Sequence, residues 1–312
     1  NLLNGCIENG FNDEEKTEAY RLLTLAYLYL DEPESADDTM LGLLNHNHEF
    51  QINEQVDPEE FITLHQSFRT WPIYLYGFKF GGTYSIANVQ RLFGVNSSGT
   101  ELTNYSAKIN FSAGLALEKS LKNQRFGGMA ELSFTNNQYE VVKEFANDPI
   151  IDNLGNQTIT DPFSRVTSLE TKSWLSLNLG LYYRPLLKNR IDPRIFIGPS
   201  IDYLLSDDAQ IETTFPRGGE QATGPNEELR DFRNPINFGI MSGINVRSKV
   251  GKQFLFFEAK YIHGLVNITE FNFDQTRLAT FYGYALDDVN LSHFSVSIGL
   301  LFQKYSPKKL TK

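Results

Sequence analysis

Between Ile73 and Tyr305 the chain alternates apolar with polar side chains over eight stretches, and this period of two constrains the fold more than any other feature of the sequence. In one stretch Tyr105, Ala107, Ile109, Phe111, Ala113, Leu115 and Leu117 alternate with Ser106, Lys108, Asn110, Ser112, Gly114, Ala116 and Glu118. In another, Leu175, Leu177, Leu179, Leu181 and Tyr183 alternate with Trp174, Ser176, Asn178, Gly180 and Tyr182; in the last, Phe294, Val296, Ile298, Leu300 and Phe302 oppose Ser295, Ser297, Gly299 and Gln303. The other five strands are expected near residues 73–86, 125–136, 194–205, 236–247 and 253–264. Each is long enough to cross a bilayer at the usual tilt, which takes about 9 to 11 residues.

A soluble sandwich alternates too, so the connections decide. Those near 119–124, 185–193 and 248–252 are short, and those near 87–104, 137–165, 206–235 and 265–290 are long, in strict alternation. A membrane barrel has this pattern of short inner turns and longer outer loops. The short turns with their flanks (119–125, 184–194, 247–252) carry ten Lys/Arg and one Asp, whereas the long connections (87–104, 136–168, 206–235, 265–290) carry 17 acidic and 7 basic residues. The two ends therefore face different surroundings. Tyr74, Tyr76, Phe78, Tyr182, Tyr183, Phe256, Phe257, Tyr261, Phe302 and Tyr305 gather toward the short-turn end, where an interfacial girdle belongs. The sequence predicts a mainly β protein of residues 71–306: an eight-stranded antiparallel transmembrane β-barrel in a bacterial outer membrane.

Residues 1–70 read differently. Glu14 to Leu30, Glu34 to Leu44 and Pro58 to about Phe68 have helical spacing, with Asp57 expected to cap the third helix. This segment holds 15 Asp/Glu and 3 Lys/Arg, net −12; residues 71–312 hold 23 and 25, net +2. No basic footprint exists for nucleic acid. The single cysteine, Cys6, excludes an internal disulfide, and no apolar run reaches 18 residues, which excludes a membrane-spanning helix. An even strand count puts both barrel ends on the short-turn side, so the helical segment is expected in the periplasm. No signal peptide is present, and a chain of this kind is expected to have crossed an inner membrane, so the start is expected to be truncated. A short basic tail occupies 307–312.

Eight strands enclose a lumen that side chains can fill. Parity places Lys79, Lys108, Lys172, Arg184, Arg247 and Lys260 inside with Glu118, Glu131, Glu170, Asp202 and Glu258. Their charges nearly cancel, which predicts an ion-pair network plugging the barrel, because an unpartnered buried charge is costly. A selective pore is the alternative.

Three segments carry a family resemblance. Ser295–Phe302 with its Gly and aromatic pattern, Tyr183-Arg184-Pro185 and Phe196-Ile197-Gly198-Pro199 resemble the PorT-like outer-membrane barrels of Bacteroidota over about residues 73–305. The helical hairpin resembles a tetratricopeptide-like unit, a kind of repeat that buries its faces against neighbours. The resemblance implies a non-enzymatic subunit or anchor of an envelope assembly, with links to type IX secretion or outer-membrane assembly. Its partners would be other outer-membrane or periplasmic proteins and outer-membrane lipid. The first helix offers Tyr20, Tyr27 and Tyr29 among carboxylates as partner-binding candidates.

Chemistry-bearing constellations are sparse. His293 and Ser295 have the His-x-Ser spacing of lipid A deacylases, but parity faces them into the lumen, away from lipid, and His263 falls on the opposite parity. His46 and His48 lack a third metal ligand nearby in sequence. Asp207-Asp208 and Asp287-Asp288 are expected in outer loops, solvated or able to recruit calcium. Arg217-Gly218-Gly219 and Thr223-Gly224-Pro225 mark a mobile loop rather than a phosphate cradle. No motif calls for a cofactor.

Overall fold

The computed structural model describes residues 10–94, 102–121, 124–145, 149–151, 157–159, 165–186, 191–215, 221–270 and 275–310. Cys6, the start of the chain and Arg217–Gly219 lie outside the described residues. The chain divides into two compact units, residues 1–75 with 303–312, and residues 76–302.

The first unit is helical. Helix α1 (Asp13–Tyr29) opens on a capping box in which the Asn12 side chain accepts from the Glu15 amide and the Glu15 carboxylate accepts from the Asn12 amide, each at 2.9 Å. Helix α2 (Pro33–His46) starts on Pro33, whose missing N–H costs nothing there. Helix α3 (Glu59–Gln66) follows Pro58. Asp57 does not cap it. Its carboxylate is occupied by the Arg21 guanidinium at 2.7 and 2.8 Å and by the Asn53 amide at 2.8 Å, and these charge-assisted bonds outcompete a cap. Met40, Leu43, Leu44, Phe61 and Phe68 form the core. The basic tail is stitched on: the Arg69 amide donates to Lys308 O at 2.9 Å, the Leu310 amide to Ser67 O at 2.7 Å, and Lys309 pairs with Asp37.

The second unit is a closed barrel. Its strands are β1 (Tyr74–Arg91), β2 (Leu102–Ala107), β3 (Ile109–Ser120), β4 (Phe126–Glu144), β7 (Arg165–Tyr183), β8 (Ile191–Thr214), β10 (Ile236–Val250), β11 (Gln253–Gly264) and β12 (Asp288–Lys304). Strands β5 (Pro149–Ile151) and β6 (Gln157–Ile159) form a separate hairpin, and β9 (Gln221–Glu228) pairs with the outer part of β8. Counting β2 and β3 as one strand, eight strands run in the order β10-β11-β12-β1-β3-β4-β7-β8, and β8 closes the ring on β10. The β10–β11 turn takes two residues with Gly251 at φ +61°, the left-handed position that a tight hairpin needs.

The outer face is apolar. Leu115, Leu177, Leu181, Ile197, Ile240 and Ile298 are exposed, with Leu181 at 70%, a surface that water would not tolerate and a bilayer covers. Tyr76 stacks on Phe302 and Phe126 packs on Tyr183 at the short-turn end. Tyr182 and Phe256 do not join that girdle. Both are buried inside, because the even-numbered residues of β7 and β11 face the lumen.

Strands β4, β7 and β8 run 19, 19 and 24 residues, about twice what a crossing needs. The described residues of the long connections expected at 137–165 and 206–235 are therefore mostly sheet. Thr223–Pro225 lies in β9 rather than in a mobile loop, and a Cβ on Gly224 would meet the Tyr282 ring at 2.8 Å, so a larger residue there would displace that ring. Two irregularities shift faces. The register sum between β2/β3 and β4 changes by one between Ala107↔Tyr139 and Ser112↔Thr135, a bulge that turns Tyr105 inward, whereas simple alternation placed it outward with Ile109. A second shift, opposite Ser173/Trp174, turns Asp207 inward.

Candidate functional site in the lumen and its outer cap

From the short-turn end outward, the lumen is filled by successive charge clusters. In the first, the Arg247 guanidinium grips Glu118 with two N–H donors at 2.8 and 3.0 Å, and Arg194 donates to the same carboxylate at 2.8 Å. Asp192 accepts from Arg194 at 2.8 Å and from Arg184, at the mouth beyond β7, at 2.9 Å. Arg194 also lies 4.5 Å from the Tyr182 ring centroid. Met129, Tyr182, Phe196, Met241 and Ile262 pack as an apolar cluster inside the barrel.

The second cluster is a chain of four. Lys79 bridges Glu258 at 2.6 Å and Glu131 at 2.7 Å, and Lys260 reaches Glu131 at 2.7 Å. Two cations meet two anions, all buried. Beside Lys79 and Lys260 lies a cavity of about 10 Å³ bordered by Ser133, Thr135, His293 and Ser295, room for about one water. Asp202 sits apart. It accepts from Ser200 at 3.2 Å and Asn237 at 3.1 Å, and among the described residues it joins no ion pair.

The third cluster occupies the extension built by β4, β7 and β8. Glu170 is its hub, receiving Arg233 at 2.6 Å, the Tyr139 hydroxyl at 2.7 Å, the Tyr284 hydroxyl and Lys172. Asp207 takes Arg233 at 2.8 Å and Lys172 at 3.1 Å. Nearby, Asp287 binds Lys143 at 2.9 Å, the Tyr105 hydroxyl at 2.6 Å and the Phe93 amide at 2.7 Å. Around these groups Val141, Val166, Trp174, Ile211, Phe232, Leu278 and Leu291 belong to the largest apolar core of the molecule. Arg233, Asp287 and Tyr284 come from connections, so the cluster ties the outer loops to the barrel wall. The carboxylates of Glu170 and Asp207 hold Arg233 well above its ordinary pKa although burial opposes this.

The lumen thus holds Lys79, Glu118, Glu131, Glu170, Lys172, Asp202, Arg247, Glu258 and Lys260. Lys108 is not among them. It lies at the break between β2 and β3, half-exposed, and pairs with Glu140 at 2.9 Å. Asp207 and Asp287 are not solvated loop residues but buried partners of Lys172, Arg233 and Lys143, which leaves neither carboxylate for calcium. Arg194 and Asp192 share the parity of Asp202, and Lys143 that of Glu131; Arg194 lies within the strand expected at 194–205, and longer strands reach Asp192 and Lys143. Arg233 lies in a connection and Asp207 behind a bulge, and no sequence period points to either.

His293 and Ser295 are buried, facing the small enclosed cavity. The histidine and serine in hydrogen-bond contact are a different pair on the outer face: Ser292 Oγ lies 3.2 Å from His263 Nδ1, and accepts from Asn88 at 2.8 Å and from the Gly264 amide at 3.2 Å. Ser292 is fully buried with its oxygen so held, which makes it a structural knot rather than an open nucleophile. Among the described residues no three His, Cys, Asp or Glu side chains are grouped to hold a metal; His48 instead bonds Leu44 O at 2.6 Å and stacks on Tyr305. Tyr20 packs into the helical core, where Gly42 makes room for its ring, and Tyr27 is half-buried. Tyr29 is 79% exposed, so the three tyrosines do not share one open face.

Residues 65–270, about two thirds of the chain, match the family model described as an outer membrane protein beta-barrel domain. No curated protein matches the chain. Similar solved structures include Neisserial surface protein A, with 9% identity and a TM-score of 0.34, covering 74% of this chain and 96% of its own. The attachment invasion locus protein Ail of Yersinia pestis has 11% identity and a TM-score of 0.30, with coverage of 73% and 98%. The outer membrane protease OmpT of Escherichia coli has 8% identity and a TM-score of 0.32, with coverage of 74% and 96%.

Proposed function

This chain belongs to the outer membrane protein beta-barrel domain family, and we propose that within it the protein is a non-enzymatic anchor: a plugged barrel that holds a partner-binding helical arm in a cell-envelope complex. The bacterial outer membrane is its location. The observation that carries the anchor reading is the filling of the lumen by three charge clusters and an ordered apolar cap, with a remaining cavity of about 10 Å³. Among the described residues this filling supports a plugged barrel over a conduction path, and the burial of His293 and Ser295 within it speaks against their meeting a lipid substrate. The short-turn end faces the periplasm in this reading, and the acidic helical segment that precedes β1 is periplasmic. Tyr183-Arg184-Pro185 and Phe196–Pro199 support a finer kinship with PorT-like barrels of Bacteroidota, and with it a place in protein secretion or outer-membrane assembly. The helical hairpin would then act as a tetratricopeptide-like binding unit.

Two measurements test the proposal. Folded protein in planar bilayers is expected to give no conductance above background; regular single-channel steps would replace the anchor with a pore. Extraction of tagged protein from native outer membranes in mild detergent is expected to bring a stoichiometric set of envelope proteins, and recovery of the barrel alone would remove the complex.

A further inference from the structure

The helical unit carries a groove of about 550 Å³ whose floor includes Leu28 of α1 and Leu64 of α3 and whose rim carries Glu59 and Glu60. That volume lies within the range of about 300–1,000 Å³ typical of binding pockets. Leu28 and Leu64 pack their inner sides on the Met40–Phe61 core and leave their outer sides to the groove. Glu59 and Glu60 are exposed in the first turn of α3, where the helix N-terminus favours negative charge, and among the described residues neither joins an ion pair. Lys309 is the one cation among the groove's lining residues, and its charge is taken up by Asp37. Just past Leu28, the exposed residues Asp31, Glu32 and Glu34 add to the same sign.

Resting on the reading of the helical unit as a partner-binding arm, we propose that this groove seats a Lys/Arg-rich segment of a partner protein, with one or two aliphatic side chains on Leu28 and Leu64 and its cations on Glu59 and Glu60. Charge complementarity selects the occupant. The segment 1–70 carries 15 carboxylates against 3 cations, so anionic lipid, nucleic acid and acidic peptides are repelled while a basic segment is drawn in. The apolar floor adds what charge alone lacks: a place to bury an anchor, which fixes register.

The test uses the full chain in nanodiscs of zwitterionic lipid and a fluorescent twelve-residue peptide of alternating leucine and lysine. Two control peptides carry glutamate for lysine or serine for leucine. The Leu/Lys peptide is expected to bind, and both controls at least tenfold more weakly. Glu59→Gln with Glu60→Gln is expected to cost about tenfold in affinity with the far-UV circular dichroism unchanged, and Leu64→Ser to cost as much. Absence of binding by the wild-type chain, or equal binding by E59Q/E60Q and L64S, overturns the proposal. Native-membrane extraction separates this from the broader reading. If E59K/E60K still recovers the wild-type set of envelope proteins, the groove is not their seat although the complex stands. If the wild-type chain is recovered alone, the complex itself falls.

Discussion

Glu118 on β3 and Arg247 on β10 meet fork to fork across the barrel, 129 residues apart in sequence, with Nη2–Oε1 at 2.8 Å and Nη1–Oε2 at 3.0 Å. Because Arg194 shares the same carboxylate, removing Glu118 leaves two buried guanidiniums facing each other. Breaking a buried pair from one side typically costs about 3–5 kcal/mol. Glu118→Ala is expected to lower the unfolding free energy of the barrel by that order, read as a lower urea midpoint, and Glu118→Gln by less, since the amide oxygen still accepts. An unchanged midpoint for Glu118→Ala would show that the cluster is solvated.

Glu131 holds Lys79 and Lys260 at once, so its loss leaves two ammonium groups with only Glu258 between them, beside the small cavity. Water would enter to solvate them. Glu131→Ala is expected to give intermittent, anion-preferring conductance in bilayers where wild type gives none. Silence from the variant would place the barrier elsewhere, in the outer cap.

What the sequence discloses and what it hides divides at the bulges. Parity carries faithfully along β4, where Met129 to Lys143 face inward at every second residue, and along the membrane part of β7. It fails at Lys108 and past Leu205, where one extra residue swaps the faces, and a period of two contains no record of such an insertion. The sequence understates the strand ends because polar outward residues such as Asn136, Thr171 and Asp208 look like loop, although beyond the bilayer a strand is free to be polar on both faces. The hub at Glu170 depends on Arg233 and Tyr284, which come from separate connections and meet only through the tertiary fold.

Gly198 on β8 sits so close to β7 that a Cβ would lie 1.9 Å from the Leu179 carbonyl oxygen. Backbone cannot rotate away as a side chain can, so a methyl group must part the strands. Gly198→Ala is expected to destabilise by the upper end of overpacking costs, about 3 kcal/mol. The readout is loss of the compact, heat-modifiable band on unboiled gels. A fully retained band would show that β7 and β8 separate at no cost.

His65 is buried in the helical unit with Phe50 packed near its ring. Burial holds its imidazole below the ordinary value, against the opposing pull of the Phe50 backbone and the Asp57 carboxylate. The unfolded chain then binds the proton better than the folded one. Stability from this group is complete above the unfolded pKa of about 6.5 and is lost as pH falls below it toward the folded value. Urea titrations followed by Trp71 fluorescence are expected to show a lower midpoint at pH 5 than at pH 7.5, and His65→Gln to flatten the difference. An equal slope in the variant would assign the pH dependence to other groups.

Arg233 makes three bonds that a lysine cannot make together: to Glu170 at 2.6 Å, Asp207 at 2.8 Å and the Thr269 hydroxyl at 2.7 Å. Thr269 in turn donates to Asp287 O, so one guanidinium links the connection before β10, the wall strands β7 and β8, and the connection before β12. Arg233→Met removes that link and leaves Lys172 alone to balance Glu170 and Asp207, whereas the membrane band and the clusters nearer the short turns are untouched. The expected result is new proteinase K cleavage in the connections 229–235 and 265–287 while the barrel keeps its heat-modifiable mobility. Arg233→Lys should restore protection only in part, because a point charge cannot reach acceptors on three elements. If Arg233→Met resists the protease as wild type does, the apolar packing of Phe232, Leu278 and Leu286 holds the cap without the ion cluster.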